Sequence, residues 1–345
     1  MNLDIRSLET RYSKLATVVM LLATAVMLSS CASLKPAQSP DVVIPNAHTG
    51  GSLVVFNQAS TQLASGGWEG DIEIWTLPDG KSLRHWRAHA GTVNGIAFLD
   101  HDRRILSGGY DGELAEWDAQ GRILRRVPSG SPVTALVADE EDNIVVTGHA
   151  DGAVRVWNLA TLTRQQDYRA HTGAVRAVTY ARGRGLIASS GHDTRVMLWR
   201  VPGAPPATLP GPPTDSRALQ FSPDGQWLIG SGWFRLFRWN LASSALTTLA
   251  TEHTGIIKSI QYSPDGRYLA SISRQTDSSI YFLDPMTGEV LRRFARHDLC
   301  GGWIALSPDQ HYIATTSDDA SVRIWRLGEG DPIEKLNRQE RQGRL

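Results

Sequence analysis

The chain has 345 residues, with 35 basic and 35 acidic side chains and a formal net charge of zero. That balance leaves no electrostatic footprint for nucleic acid as a partner. Two cysteines cannot build a disulfide-stapled scaffold.

Arg6, Arg11 and Lys14 precede an apolar run from Leu15 to Leu28. The run is long enough for a secretory signal core and short for a membrane span. It ends in Leu28-Ser29-Ser30-Cys31. This resembles the lipobox of bacterial lipoproteins, which implies cleavage before Cys31 and a lipid on its sulfur. Residues 1–30 are then a signal peptide. Residues 31–41, with Pro36 and Pro40, are a lipidated cysteine and tether. Several acyl chains exceed what stable membrane anchoring requires. Ala32 after the cysteine resembles outer-membrane sorting, so the expected location is the bacterial cell envelope, at the outer membrane facing the periplasm. With Cys31 acylated, Cys300 is the remaining thiol and no internal disulfide can form.

From Val42 onwards the chain repeats. Trp75, Trp117, Trp157, Trp199 and Trp239 stand 42, 40, 42 and 40 residues apart, and Trp325 follows after two further periods with Leu283 midway. Seven units of this length point to a circular repeat protein. Within Asn94 to Leu124, strands are expected at Ile96–Phe98, Arg104–Ser107 and Leu114–Trp117, with a fourth opening at Ile123. The turn Tyr110-Asp111-Gly112 is a hairpin signal. Ser222-Pro223-Asp224-Gly225 and Ser263-Pro264-Asp265-Gly266 mark the first turns of later units. After position 40 a helical period is confined to the polar tail, residues 328–345.

A second periodicity is finer. His89, His171, His253 and His297 each precede a Ser or Thr by 18 residues, and His48 precedes Ser65 by 17. Ser107, Thr147, Ser189 and Thr315 are followed four residues later by Asp111, Asp151, Asp193 and Asp319, and Trp lies six residues beyond each Asp. These residues resemble the WD-repeat β-propeller family over about Asp41 to Leu327. The resemblance implies an all-β, seven-bladed propeller of four-stranded antiparallel blades occupying residues 42–327. It also implies structural tetrads such as His89, Ser107, Asp111, Trp117 and His171, Ser189, Asp193, Trp199. In each, Asp accepts from His, His bonds the hydroxyl, and the hydroxyl accepts from the indole N–H. Ser129 stands at the His position of the third unit. In the fifth, Pro212 stands there and Trp233 replaces Asp. Incomplete tetrads are expected in blades 3 and 5.

A propeller must hide its first and last edges. The stretch Val42 to Pro45 aligns with the outer strand before the next unit and is expected to close the last blade. The rival closure uses Pro332 to Leu336.

Little in the sequence points to catalysis. The trio His89, Ser107, Asp111 recurs in several units, whereas an enzyme needs one site. His149 and His192, beside Asp151 and Asp193, lack a third ligand at metal-site spacing. The glycine-rich turns open no helix and are not phosphate loops. No insertion is large enough for a lid. No enzyme activity, cofactor or metal is therefore expected. The family resemblance implies a partner face where the between-blade and tight turns meet. Carried over by position, it includes Trp68, Tyr110, Thr276, Asp318 and His192 in turns. Asn94, Asp215, Arg176, Arg217 and Lys258 stand at strand starts. Aromatic and arginine side chains are enriched in interface hot spots. The expectation is a non-catalytic protein-interaction scaffold for partners with an acidic surface. The alternatives are a small-ligand or peptide-binding propeller and a propeller hydrolase.

Overall fold

A computed structural model describes residues 37–48, 53–201, 203, 205–211, 216–274 and 277–328. The signal peptide, Cys31, Pro212, Asp215, Thr276, the rival closing strand and nearly all of the tail lie outside these residues.

The described strands form seven four-stranded antiparallel sheets. Blades 1 to 6 span 53–87, 93–128, 133–169, 175–208, 219–250 and 256–294, each running from inner to outer strand in chain order. Blade 7 takes its inner three strands from 301–326 and its outer strand from Val42–Ile44. The closing register is Val42↔Ile324, Val43↔Arg323 and Ile44↔Val322. Ile44 turns inward while Val43 stays about half exposed, the alternation of a strand with one buried face.

Blade 2 shows how the sequence makes the strands. Its strands are Val93–Leu99, Arg104–Gly109, Glu113–Asp118 and Ile123–Pro128. Each is slightly longer than its apolar pattern suggested. The middle two strands are buried on both faces, since neighbouring blades cover them. Leu106 and Leu114 are fully buried, and so are their equivalents Val146 and Val154 in blade 3. The outer strand alternates exposed and half-buried residues. Apolar clusters bridge successive blades. One joins Ile72 and Ile74 of blade 1 to Ile96, Ile105 and Trp117 of blade 2. At about 25 cal/mol per Å² of buried apolar surface, these inter-blade layers are the principal stabilising term.

The chain alternates between two faces. The tight turns between second and third strands share one face with the crossovers from outer strand to next blade. We term this the upper face. The other turns lie on the lower face.

The segment just before the closing strand differs from expectation. Residues 38–41 were assigned to the tether, but hydrogen bonds hold them on blades 6 and 7. Gln38 N donates to Arg293 O at 3.2 Å, and Gln38 O accepts from Ala295 N at 2.8 Å and from Trp325 Nε1 at 3.0 Å. Asp41 N donates to Ile324 O, and its carboxylate accepts from Arg326 N at 2.6 Å. The reason is that the outer strand of blade 6 and the third strand of blade 7 leave backbone groups that need partners.

Candidate functional site: the tetrads and the upper face

The tetrads occupy the upper half of the blades. In blade 2, His89 Nδ1 lies 3.0 Å from Asp111 Oδ1, His89 Nε2 lies 2.8 Å from Ser107 Oγ, and Trp117 Nε1 donates to Ser107 Oγ at 2.9 Å. The network is self-consistent with a neutral imidazole carrying its proton on Nδ1. Burial lowers the His89 pKa, outweighing the opposing pull of Asp111. In blade 4, His171 bonds Asp193 at 2.8 Å and Ser189 at 2.7 Å. In blade 7, His297 bonds Asp319 at 3.0 Å and Thr315 at 2.7 Å. Burial would raise the Asp319 carboxyl, but hydrogen bonds from His297 and Ser321 outweigh it and hold the group ionised.

Three tetrads depart at the tryptophan, and blade 6 has Leu283 in its place. Trp199 Nε1 is buried and finds no hydrogen-bond partner among the described residues, so the expected link to Ser189 is missing. Its ring instead packs edge-on against Tyr168, with centroids 5.4 Å apart. Trp325 donates to Gln38 O rather than to Thr315.

Blade 3 keeps three members of the network and lacks the acidic one, since Asp151 pairs with Arg155 at 2.6 Å. Thr147 Oγ1 lies 2.7 Å from Nε2 of His149, His149 Nδ1 lies 3.0 Å from Ser131 O, and Trp157 donates to Thr147 at 2.8 Å. A histidine two residues along the same strand has replaced the one from the crossover. The exchange is steric. In blades 1, 2 and 4 a glycine stands at this strand position, and a Cβ on Gly67, Gly109 or Gly191 would lie within 2.6 Å of an atom of the ring of His48, His89 or His171. Blade 3 reverses the pair, with small Ser129 in the crossover and His149 on the strand. The signal was therefore present in the sequence, as Ser129 and His149 read together. His149 is fully buried, and burial lowers its pKa to about 4. Both ring nitrogens are engaged, which leaves no lone pair for a metal.

Blade 5 has no tetrad. The register Gly230↔Phe237 puts glycine where blade 2 has Ser107↔Ala115. Trp239 Nε1 donates to Pro210 O at 2.7 Å instead. Ser231 Oγ accepts from Arg217 N and Ala218 N, and Ser216 Oγ donates to Ser231 O. The tight turn is one residue shorter than in blade 2. Phe234 takes the left-handed conformation, φ 60°, that Gly112 takes at φ 80° in blade 2.

The trio His89, Ser107, Asp111 is not an accessible nucleophile site, because Ser107 is fully buried and the same trio is repeated in blade 4. His89, Asp111 and Glu113 bring three ligand atoms within 4.8 Å of one another. Here Asp111 already accepts from His89 and from Ala90 N, and Glu113 pairs with Arg126 at 2.5 Å.

The upper face carries the exposed aromatics. Trp68 is 51% and Tyr110 53% exposed. Trp233 and Phe234, nearly half exposed, add a second patch, their rings 5.7 Å apart. Leu299 in the crossover between blades 6 and 7 is 55% exposed. His192 is exposed. Asn94 lines the channel mouth, and its Nδ2 donates to Val133 O at 2.8 Å, bracing blade 2 against blade 3. Arg176 and Lys258 are half-buried at the mouth of the central channel, beside Trp68, Trp303 and Arg274. Lys258 Nζ sits 6.0 Å from the Trp303 ring centroid. Arg217 also lines the channel, with Arg176. Arg274, which sequence reasoning passed over, pairs with Asp318 at 2.8 Å. Phe234 and Leu299 were also passed over. An aromatic pair in a turn otherwise built from Asp and Gly was the available signal for the first.

The repeat geometry and these tetrads define a propeller of the WD-repeat class. The family description "WD domain, G-beta repeat" matches residues 80–118, 122–158, 162–200, 203–240, 244–284 and 288–326, so the chain belongs to that family. Each matched unit combines the outer strand of one blade with the inner three of the next. Among curated proteins, it is 27% identical to telomerase protein component 1 of Mus musculus over 53% of this chain and 7% of that protein. It is 22% identical to autophagy-related protein 16 of Arabidopsis thaliana over 73% of this chain and 51% of that one. It is 25% identical to pre-mRNA-processing factor 17 of Mus musculus over 81% and 50%. The chain thus spans about half or less of the length of these relatives. Most such propellers serve as non-enzymatic scaffolds that bind protein partners.

Proposed function

We propose that this protein is a non-catalytic interaction scaffold, lipid-tethered in a bacterial cell envelope, that binds protein partners on its upper face. The observation that carries the reading is the Trp233-Phe234 turn. A phenylalanine at positive φ is rare and costs of order 1 kcal/mol, and here its side chain stays nearly half exposed. Such strain is kept where an exposed anchor is needed. With Trp68, Tyr110 and Leu299 it gives the upper face anchors of the type that dominate interfaces. The lower face offers Met286, and the lower ends of two outer strands add Leu83, Ile123 and Leu124, none of them aromatic. Half-buried Arg176, Arg217 and Lys258 between the two aromatic patches suit an acidic group on the partner. The tether reading rests on the sequence features at Arg6 to Cys31.

A photo-crosslinking residue at Tyr110, compared with one at Met286 in intact cells, tests the face. Selective capture at Tyr110, weakened by Trp233→Ala with an unchanged melting temperature, is the expected result. Equal capture at both sites rejects the upper face. Cys31→Ser is expected to release the folded propeller from the membrane fraction, and retention after a salt wash rejects the lipid anchor.

A further inference from the structure

On the lower side of the molecule a cleft of about 770 Å³ opens between blades 3 and 4. That is within the ~300–1,000 Å³ of sites that take small ligands. Strand register accounts for the space. Ile144 pairs with Asn158 and Val156 with Gln166, so these four side chains share one face of blade 3. At the positions of Ile144 and Val156, blade 2 carries Arg104 and Glu116, blade 5 Trp227 and Arg238, and blade 6 Tyr268 and Phe282. Those larger pairs occupy their own gaps. Arg104 pairs with Glu116, Arg238 lies over Trp227, and Tyr268 stacks on Phe282. Across the cleft, blade 4 presents Gly183 and Gly185, which have no side chain to fill it, beside Tyr180 and Val201.

The chemistry of the lining points to an occupant. Ile144 and Val156 are buried and, with Val201, supply apolar surface. Asn143, Asn158 and Gln166 supply amides whose oxygens are already engaged. Asn143 Oδ1 accepts from Ala160 N at 2.8 Å, Asn158 Oδ1 from Thr161 N at 2.9 Å, and Gln166 Oε1 from the Tyr168 hydroxyl. These bonds fix which end of each amide is the oxygen. Among the described residues the three NH₂ ends meet no acceptor. Asp142 is the complement. Its Oδ2 accepts from the Tyr180 hydroxyl at 2.7 Å and from Gly183 N at 2.9 Å, tying blade 3 to blade 4, while Oδ1 accepts from no described residue. No Lys or Arg is among the described residues that line the cleft. An anion would therefore meet a carboxylate and no cation, which selects a neutral ligand. A hydroxyl both donates and accepts, so it can take an amide N–H and give its own proton to Asp142. A sugar ring carries hydroxyls round its edge and C–H groups on its faces, which matches apolar surface bordered by amides.

We propose that the cleft between blades 3 and 4 binds a short neutral oligosaccharide. One ring lies with its C–H face on Ile144 and Val156. Its hydroxyls accept from the amides of Asn158 and Gln166 and donate to Asp142. The site is on the side opposite the upper face, so one molecule can hold a glycan and a protein partner together, and the proposal does not depend on the partner reading.

The test is calorimetric titration of the full chain with three neutral trisaccharides: maltotriose, cellotriose and triacetylchitotriose. At least one is expected to bind with a Kd in the millimolar range or tighter, and the order of the three tells a plain glycan from an N-acetylated one. Gln166→Ala removes one donor at a half-buried position and should weaken binding about tenfold. Ile144→Arg with Val156→Glu copies the pair of blade 2, fills the cleft and should abolish binding. If that double variant fails to fold, Gln166→Ala decides. No binding of any of the three sugars at millimolar concentration, unchanged binding by Gln166→Ala, or displacement of the sugar by an equal concentration of capped trialanine would overturn the proposal, the last by making the cleft a peptide site.

Discussion

Blades 2 and 5 have the same four-stranded sheet and closely similar registers, yet hold themselves together differently. Blade 2 runs a chain of side-chain hydrogen bonds from Asp111 through His89 and Ser107 to Trp117. Blade 5 has glycine at the hydroxyl position and meets its needs with backbone groups, through Trp239 to Pro210 O and Ser231 to two backbone N–H groups. Both tryptophans are buried. The difference teaches that the tetrad is not what makes a blade. The inter-blade apolar layers do that, and the tetrad supplies partners for polar atoms that the layers bury. Blade 3, with His149 supplied from its own strand, shows that the source of a partner is free so long as its atom arrives.

This comparison breaks first under acid. Burial lowers His48 and His149 from 6.5 to about 4 in the folded state. The native state then holds fewer protons than the unfolded chain, so this stability is full above pH 6.5 and lost as pH falls towards 4. Each histidine contributes about 3 kcal/mol at full effect. Urea denaturation across this range should show the loss, and His149→Gln should remove a substantial part of the slope. A flat profile would mean that the imidazoles are solvated.

A smaller effect separates the two kinds of blade directly. Asp111→Ala strands the Nδ1–H of His89 and is expected to cost roughly 1–3 kcal/mol, as is Asp193→Ala for His171. Similar losses of denaturation midpoint for the two mark a repeated structural device. A large loss at only one would single out a special site.

In blade 5, Ser231→Ala removes one acceptor shared by two backbone donors and should cost about 1 kcal/mol. A loss equal to that of Asp111→Ala would show that the backbone network of blade 5 is as tightly coupled as a tetrad. The smallest effect belongs to Trp68→Ala with Tyr110→Ala. Both side chains are about half exposed, so stability should change by no more than about 0.5 kcal/mol while partner capture weakens. A marked drop in melting temperature would reassign them to packing.

The number of blades, their strands and the closing strand were legible in the amino-acid order. The physical reason is that these features depend on local periodicity. An apolar residue every second position, a turn every few residues and a tryptophan every 40 or 42 are properties of neighbours along the chain. The tetrads were legible where His, Ser and Asp kept their spacing, and misread where one partner had moved along its strand, as His149 did. Other features depend on residues that become neighbours only when the ring closes. Gln38 lies next to Trp325 although 287 positions separate them. Arg125 reaches carbonyls of the following blade at Leu159 and Ala160, and a single-residue change in a repeat leaves no mark on its period. Asn94 fits the partner-face pattern, but the carbonyl of Val133 in the next blade takes its amide. The sequence by itself determined the propeller, because repeated local preferences can be satisfied by stacking identical units. Tertiary structure alone decided which side chains are spent between blades and which remain for a partner, because that choice depends on the distance between atoms far apart in the chain.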